Sequence, residues 1–209
     1  MRLYAVDDDS GMRRLLHARL KPSGITVWPF ASAEDFLDQV DGLRAAPIIT
    51  DLRMPDINGL EMLAALSARA IQWPVIVITA YADIAMVVEA MKLGAIEVLE
   101  KPVRAEPLNA ALEQAFAMLA NTARKTKARQ VARARMALLT SRERSVVGAL
   151  IAGKSNKVIA QAMEISPRTV EGHRAHALQK LNVRSIAEMV YVAVDGDFDL
   201  RVPSSEGGN

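Results

Sequence analysis

Ile48-Ile49-Thr50-Asp51-Leu52-Arg53-Met54-Pro55-Asp56-Ile57-Asn58-Gly59 is the stretch on which the reading of this chain turns. An apolar run ends on a carboxylate, turns at Met54-Pro55-Asp56 and reopens at Gly59 as a helix, which places Asp51 at the carboxyl end of a buried strand. Open α/β sheets bind their ligands there. Upstream, Leu3-Tyr4-Ala5-Val6 runs into Asp7-Asp8-Asp9 in the same manner, so a second acidic cluster is expected beside the first. Three carboxylates at one point repel one another unless a cation joins them.

Working outward, residues 1–120 alternate short apolar runs with helical periods. Strands are expected at 3–6, 26–30, 47–51, 75–79 and 96–100, and helices at 12–21, 33–40, 60–69, 84–93 and 105–119. Five β-α repeats predict an α/β fold, a doubly wound parallel sheet with helices on both faces. Val75-Ile76-Val77-Ile78, apolar on both sides of the pleat, suits its central strand.

The ends of those strands carry the chemistry. Asp7 and Asp8 close the first, Asp51 the third and Thr79 the fourth, while Lys101 follows the fifth, just before Pro102. Singly, each has an ordinary structural explanation: acids cap helices, threonine ends strands, a Lys-Pro step turns the chain. Their joint occurrence at consecutive strand ends describes a site. Asp7, Asp8 and Asp51 suit Mg²⁺, which takes one or two carboxylates, water and phosphate oxygens, with the Arg53 backbone carbonyl as a further ligand. Asp51 is then the carboxylate nucleophile for a phosphoryl group, with Lys101 and Thr79 as partners of its oxygens.

These residues resemble the signature of two-component response-regulator receiver domains: Val6-Asp7-Asp8-Asp9, Thr50-Asp51 through Gly59, Val77-Ile78-Thr79-Ala80 and Glu100-Lys101-Pro102, in that order. The resemblance implies a flavodoxin-like (βα)5 fold of strand order 2-1-3-4-5 and phosphorylation of Asp51 by a partner histidine kinase. Asp83-Ile84-Ala85-Met86-Val87-Val88-Glu89-Ala90-Met91-Lys92-Leu93-Gly94-Ala95 is similar to the FixJ subgroup. One position departs from the pattern. Relatives usually carry an aromatic switch residue three positions before the lysine, and here it is Val98. Coupling from Thr79 is therefore expected to run through Tyr81 or the 84–93 helix, and phosphorylation to rearrange the face made by that helix and the fifth strand, producing a homodimer.

Bulk properties agree with a two-part chain. Its 209 residues exceed the usual single domain. Residues 1–120 hold 11 Lys+Arg against 16 Asp+Glu, a net of −5, and residues 121–209 hold 15 against 8, a net of +7. A basic domain points to a phosphate-rich partner, or to a solvated basic surface. The absence of cysteine excludes disulfides, zinc-cysteine fingers and thiol chemistry. No apolar run approaches the roughly 20 residues of a membrane span, and the amino terminus lacks a signal-peptide core, so a cytoplasmic location with no membrane partner is expected.

The stretch 121–136 carries Arg124, Lys125, Lys127, Arg129, Arg133 and Arg135 with no acid, Gly or Pro. It reads as a basic helical linker that continues the last helix of the first half as a long connector, either a solvated basic helix or one making a specific contact, and its charge favours DNA nearby. From Leu139 the pattern is wholly helical. Thr140-Ser141-Arg142-Glu143 opens a helix that Gly153 stops, Ser155-Asn156-Lys157 opens a short one, Ser166-Pro167 caps a third, and a fourth covers 186–194. With Val170 centred on the buried stripe, Ala177 and Leu181 join it, while Arg168, Glu171, Gly172, Ala175 and Gln179 face outward.

Leu139-Thr140-Ser141-Arg142-Glu143-Arg144, Gly153-Lys154-Ser155-Asn156-Lys157-Val158-Ile159-Ala160 and Ile165-Ser166-Pro167-Arg168-Thr169-Val170-Glu171-Gly172-His173-Arg174 resemble the LuxR-type helix-turn-helix of the NarL/FixJ family. This implies an all-α four-helix DNA-binding domain over 137–200, followed by a flexible tail at 201–209. Base reading then falls to Glu171, Gly172 and Ala175. The other candidate DNA contacts are Lys157, Arg168, Thr169, Arg174, His176 and Gln179, while His173 belongs with the packing. Related helices often carry lysine where Glu171 and Ala175 stand. Glu171 accepts from a cytosine amino group or pairs with Arg168 or Arg174 on its own helix.

Taken together, the expectation is a phosphorylation-controlled, sequence-specific regulator of transcription. Its partners are a histidine kinase, double-stranded DNA, a second copy of itself and RNA polymerase. Before phosphorylation the acidic receiver either masks the basic domain or is merely tethered to it. The alternatives are a phosphorylation-independent DNA-binding regulator, an adaptor whose helical domain binds protein, and a metal-dependent phosphotransferase. The last needs a donor pocket, and no Gly-rich nucleotide loop is present.

Overall fold

The strand Val75–Thr79 is buried at every residue, as a strand covered on both faces must be. In the computed structural model, which describes residues 1–80 and 83–198, it is β4 of five parallel strands. The others are β1 (Arg2–Val6), β2 (Thr26–Phe30), β3 (Ile48–Asp51) and β5 (Ala95–Glu100), in the order β2-β1-β3-β4-β5. The order reverses between β1 and β3, and the carboxyl ends of those two strands are Val6 and Asp51. That crevice is the switch point at which doubly wound sheets hold ligands.

Alternation along each strand divides the side chains between two cores. Tyr4, Val6, Ile48, Val75 and Val77 pack with Phe36, Met62, Leu63 and Leu66, from α2 (Ala33–Gln39) and α3 (Gly59–Ala68). Leu3, Ala5, Ile49, Ile76 and Ile78 face the opposite way. They pack with Leu16 and Leu20 of α1 (Ser10–Leu20) and with Leu108 and Leu112 of α5 (Ala105–Ala137). α4 (Ile84–Lys92) buries Ala90 in the first of these cores. Because the period is two residues, a one-residue slip of any strand would exchange its two faces. The third strand begins at Ile48, one residue later than expected: Pro47 has no N–H to donate to the ladder, although its carbonyl still accepts from the Tyr4 N–H at 3.0 Å.

The residues divide into two compact units, Met1–Thr122 and the part from Ala123 onward, with the division inside α5. No glycine interrupts this helix, and Pro107 falls in its first turn, where a missing N–H breaks no helical bond. In the second unit follow α6 (Ser141–Ile151), α7 (Asn156–Ala162), α8 (Pro167–Leu181) and α9 (Ile186–Asp195). Each begins at a hydroxyl. Thr140, Ser155, Ser166 and Ser185 accept from the backbone N–H of the residue three further on, each cap contributing about 1 kcal/mol. Val170, Ala177 and Leu181 of α8 are fully buried, as the sequence period requires. Val170 joins Val146, Leu150 and Ile159, and the other two join Met136, Val147, Met189 and Ala193.

Candidate functional site

Three strand ends bring the expected polar groups together. Asp7 follows β1 and is 2% exposed; Asp51 ends β3 and is 7% exposed. Lys101, just beyond β5, places its Nζ 2.5 Å from Asp51 Oδ2 and 3.1 Å from Asp7 Oδ2. A register that sets Asp51 beside Ile78 and Thr79 beside Glu100 delivers the lysine to that point. Its backbone is held there as well, since the Lys101 N–H donates to the Thr79 carbonyl at 2.8 Å. Thr79 itself is fully buried.

The carboxylates of Asp7, Asp8 and Asp51 lie close enough for one ion, with one oxygen from each falling within 4.8 Å of the others. Asp8 is exposed and Asp9 serves another purpose, capping α1 by accepting from the Gly11 N–H at 2.7 Å. Asp51 is oriented by the Arg53 N–H, 3.1 Å from its Oδ1. Burial raises the Asp7 carboxyl above the ordinary aspartate value, against the lowering pull of the Asp9 N–H and the Lys101 charge. Burial also works against the Lys101 ammonium, yet its bond to Asp51 and the charge of Asp7 lift it above the ordinary lysine value. The lysine therefore stays charged at neutral pH.

Gly59 fits the opening of α3 for a steric reason. A Cβ there would stand 2.3 Å from the Asp51 carbonyl oxygen and 3.0 Å from the Leu52 Cα, closer than any side chain tolerates. The Gly59 N–H donates to the Leu52 carbonyl at 3.0 Å, tying the helix to the strand that bears Asp51. Asn58 and Glu61 close the same helix start with a reciprocal capping box. We expect Gly59→Ala to lower the melting temperature of the first unit by roughly 5–15 °C, because the backbone cannot yield without moving Asp51. A calorimetric melt unchanged from wild type would remove this constraint.

Of the expected switch residues, Val98 lies part-buried in β5 against the core that contains Ala90 and part-buried Met86. Tyr81 lies outside the described residues, as does the expected tail. Arg13 was not legible in advance: its guanidinium donates to the Asp7 backbone carbonyl, a contact that depends on how α1 leaves the sheet.

On α8 the outward set is solvent-exposed: Arg168, Thr169, Glu171, Gly172, Ala175, His176 and Gln179, while His173 and Arg174 are part-buried. Lys157 is exposed on α7. The Thr169 hydroxyl is 2.8 Å from the Ser166 hydroxyl, so it shares in the helix cap. Among the described residues no ion pair involves Glu171, so its carboxylate is available to a partner. The far end of α8 is pinned by Lys180, whose Nζ lies 2.7 Å from Glu143 Oε2. Glu143 is 4% exposed and also accepts from the Thr140 N–H at 2.8 Å. Its place in a capping box was readable; its partner 37 residues away was not.

Comparison with known proteins places both units. Residues 3–113 match the response regulator receiver domain, and residues 137–193 match bacterial regulatory proteins of the luxR family. The transcriptional regulatory protein FixJ of Bradyrhizobium diazoefficiens is 40% identical over 192 residues, 92% of this chain and 94% of that protein. FixJ of Rhizobium meliloti is 40% identical over 196 residues, 94% of this chain and 96% of that protein. Among solved structures, the response regulator StyR is 36% identical with a TM-score of 0.81, the match covering 92% of this chain and 98% of that one. Full-length FixJ from B. japonicum is 39% identical with a TM-score of 0.58, covering 93% and 96%.

Proposed function

Because the chain belongs to the NarL/FixJ family of two-component response regulators, a transcription regulator and not an enzyme, we propose that Asp51 is its phosphoacceptor and that the outward face of α8 reads its DNA site. The observation that carries the first part is the convergence of Asp7, Asp51 and Lys101 from the carboxyl ends of β1, β3 and β5. In the transfer, an Asp51 carboxylate oxygen attacks phosphorus on the kinase's phosphohistidine. The P–O bond forms, the P–N bond breaks, and the released imidazole nitrogen takes a proton. Lys101, already paired with Asp51, is in place to hold a phosphoryl oxygen, and the Thr79 hydroxyl serves as a second donor.

Asp7, Asp8 and Asp51 would hold Mg²⁺, with the Arg53 carbonyl as an additional ligand, and the ion would offset charge between carboxylates and phosphoryl oxygens. At ten times its dissociation constant, such an ion adds about 1.4 kcal/mol to receiver stability, a rise of roughly 5 °C in melting temperature. Asp8→Asn is expected to abolish that rise in a thermal melt with and without MgCl₂. An equal rise in both proteins would take Asp8 out of the ligand set.

Self-association on phosphorylation is supported by α4. Ile84, Val88 and Met91 fall at i, i+4 and i+7 and are exposed at 84%, 45% and 47%, an apolar stripe with water on it. With Val98 in place of an aromatic, we assign the coupling to this helix and the Thr79–Tyr81 segment. Beryllofluoride-treated protein should sediment as a dimer; an unchanged mass at every concentration would defeat this. Among the described residues no helix is long and apolar enough to cross a membrane. A cytoplasmic site of action, with RNA polymerase as a later partner, completes the proposal.

Lys157, Arg168, Thr169 and Arg174 supply phosphate contacts, His176 and Gln179 flank them, and Glu171, Gly172 and Ala175 face the base edges. Gly172 offers a sharp check. Among the described residues a Cβ there would meet nothing within 4 Å, so none of their packing calls for glycine in mid-helix. Gly172→Ala should therefore stabilise the domain by about 0.5–1 kcal/mol while weakening binding to the selected site on the order of tenfold. Higher stability with unchanged affinity in a urea melt and a fluorescence-anisotropy titration would remove Gly172 from the interface. The whole reading is tested by selecting bound genomic fragments and footprinting them with and without beryllofluoride. A footprint and affinity indifferent to treatment would defeat the coupling.

A further inference from the structure

Within the first unit, α1 is tied at both ends to elements that carry the site. At its start the Arg13 guanidinium donates to the backbone carbonyl of Asp7, which follows β1. In its last turn Arg19, half-buried, donates through Nη1 to the Val103 carbonyl at 2.7 Å, 84 positions along the chain. Val103 stands two residues beyond Lys101, in the stretch that leads from β5 into α5. Its side chain is buried among Leu16 and Leu20 of α1 and Leu108 of α5, so α1 meets this residue with its apolar face as well as with a cation. The stretch 101–104 is neither strand nor helix. Lys101 enters it with its N–H on the Thr79 carbonyl at 2.8 Å, and Pro102 has no N–H to offer.

We propose that Arg19 is a positioning residue for Lys101: by holding the Val103 carbonyl it fixes the stretch 101–104 so that the Lys101 ammonium stays on Asp51. The inference rests on Asp51 as the phosphoacceptor and adds the group that sets its lysine. Lys101 Nζ meets two carboxylate oxygens at once, Asp51 Oδ2 at 2.5 Å and Asp7 Oδ2 at 3.1 Å. A flexible four-carbon stem keeps such a two-point contact only where its backbone is held. The two partners of that contact are gripped by one helix of 11 residues, since Arg13 takes the Asp7 carbonyl and Arg19 the loop of Lys101. A cation in the last turn of a helix ordinarily serves that helix's own carbonyls. Here the Lys21 N–H already donates to the His17 carbonyl, and Arg19 reaches across to another element instead. Because the Val103 side chain remains in the core without Arg19, the loss falls on the placement of Lys101 and not on folding. Misplacing a reacting group by about 1 Å costs up to roughly 100-fold in rate, so a partial loosening is expected to cost on the order of tenfold.

The test compares full-length wild type with Arg19→Met, which keeps an unbranched stem and the helix propensity but has no donor. Lys21→Met, which removes the same charge from an exposed position two residues on, is the control. Two readouts are taken below the melting transition of each protein. The first is the initial rate of phosphoryl gain from acetyl phosphate and magnesium, by intact-protein mass spectrometry. The second is the ¹⁵Nζ signal of the Lys101 ammonium, assigned by its disappearance in Lys101→Arg; its protons exchange slowly with water while two carboxylates hold them. Arg19→Met is expected to gain phosphate about tenfold more slowly and to lose the Lys101 signal to fast exchange. Lys21→Met is expected to match wild type in both. The proposal is overturned by a wild-type rate in Arg19→Met, by an undisturbed Lys101 signal in that variant, or by equal slowing in Lys21→Met, which would make charge and not the bond responsible. Wild type that gained no phosphoryl mass would defeat the Asp51 reading instead, and the Lys101 signal would still decide the role of Arg19.

Discussion

Asp51→Asn protein incubated with acetyl phosphate and magnesium will gain no phosphoryl mass, while wild type gains one group and only one. The expectation rests on where the carboxylate sits. Asp51 is almost wholly buried, at the carboxyl end of β3, with Lys101 Nζ at 2.5 Å and an Asp7 oxygen on the same lysine. Asparagine keeps the shape and the Arg53 N–H contact but offers no anionic oxygen to attack phosphorus. The loss is all-or-none because Asp7 already accepts from the Asp9 N–H and from Lys101, and Asp8 lies exposed at the edge of the cluster. Beryllofluoride should likewise cease to alter DNA affinity, since an effector shifts an equilibrium only through its differential affinity for the two states. Intact-protein mass spectrometry reads the first outcome. Phosphoryl gain by the asparagine variant would move the acceptor elsewhere.

The second large effect belongs to the helical domain. Glu143→Ala removes the acceptor for both Lys180 and the Thr140 N–H, from a carboxylate that is itself nearly enclosed. A loss of about 2–4 kcal/mol is expected, a large share of what a small domain possesses. The same pair makes stability depend on pH. The hydrogen bond from Lys180, then those from Thr140, hold the Glu143 carboxyl down at about 2 against an ordinary 4.5. A depressed carboxylate contributes stability that is complete above the unfolded value and lost as pH falls toward the folded one. Wild type should therefore lose more stability than Glu143→Gln between about pH 4.5 and pH 2, with the two curves parallel above that window. Urea titrations of both proteins across that range decide it; parallel curves throughout would show the pair to be idle. Because Lys180 lies at the end of α8, Glu143→Gln should also loosen the setting of that helix and, if α8 reads DNA as proposed, reduce affinity for the selected site.

Much of this was legible before any coordinates. The strands ended where polar residues interrupted apolar runs, and β2 and β4 fell at 26–30 and 75–79 as expected. Val170, Ala177 and Leu181 were assigned to the interior by a 100° rotation per residue and are fully buried. Local rules sufficed in each case, because helix and strand periods and hydroxyl caps act over a few residues. The run of α5 through 121–137 follows a stretch in which no Gly or Pro stops the helix.

The order of elements, the carboxylates at strand ends and the alternation that separates two cores were written in the chain itself, since each depends on spacing between near neighbours. What only the folded molecule decided were contacts between residues far apart. Lys101 bridges Asp7 and Asp51 across 94 and 50 positions, Glu143 receives Lys180 across 37, Arg13 reaches the Asp7 carbonyl, and Gly59 presses on the Asp51 backbone. The physical reason is that such distances are set by strand register and helix packing together. A period in the sequence says which way a side chain faces, and only the packed neighbours say what it meets.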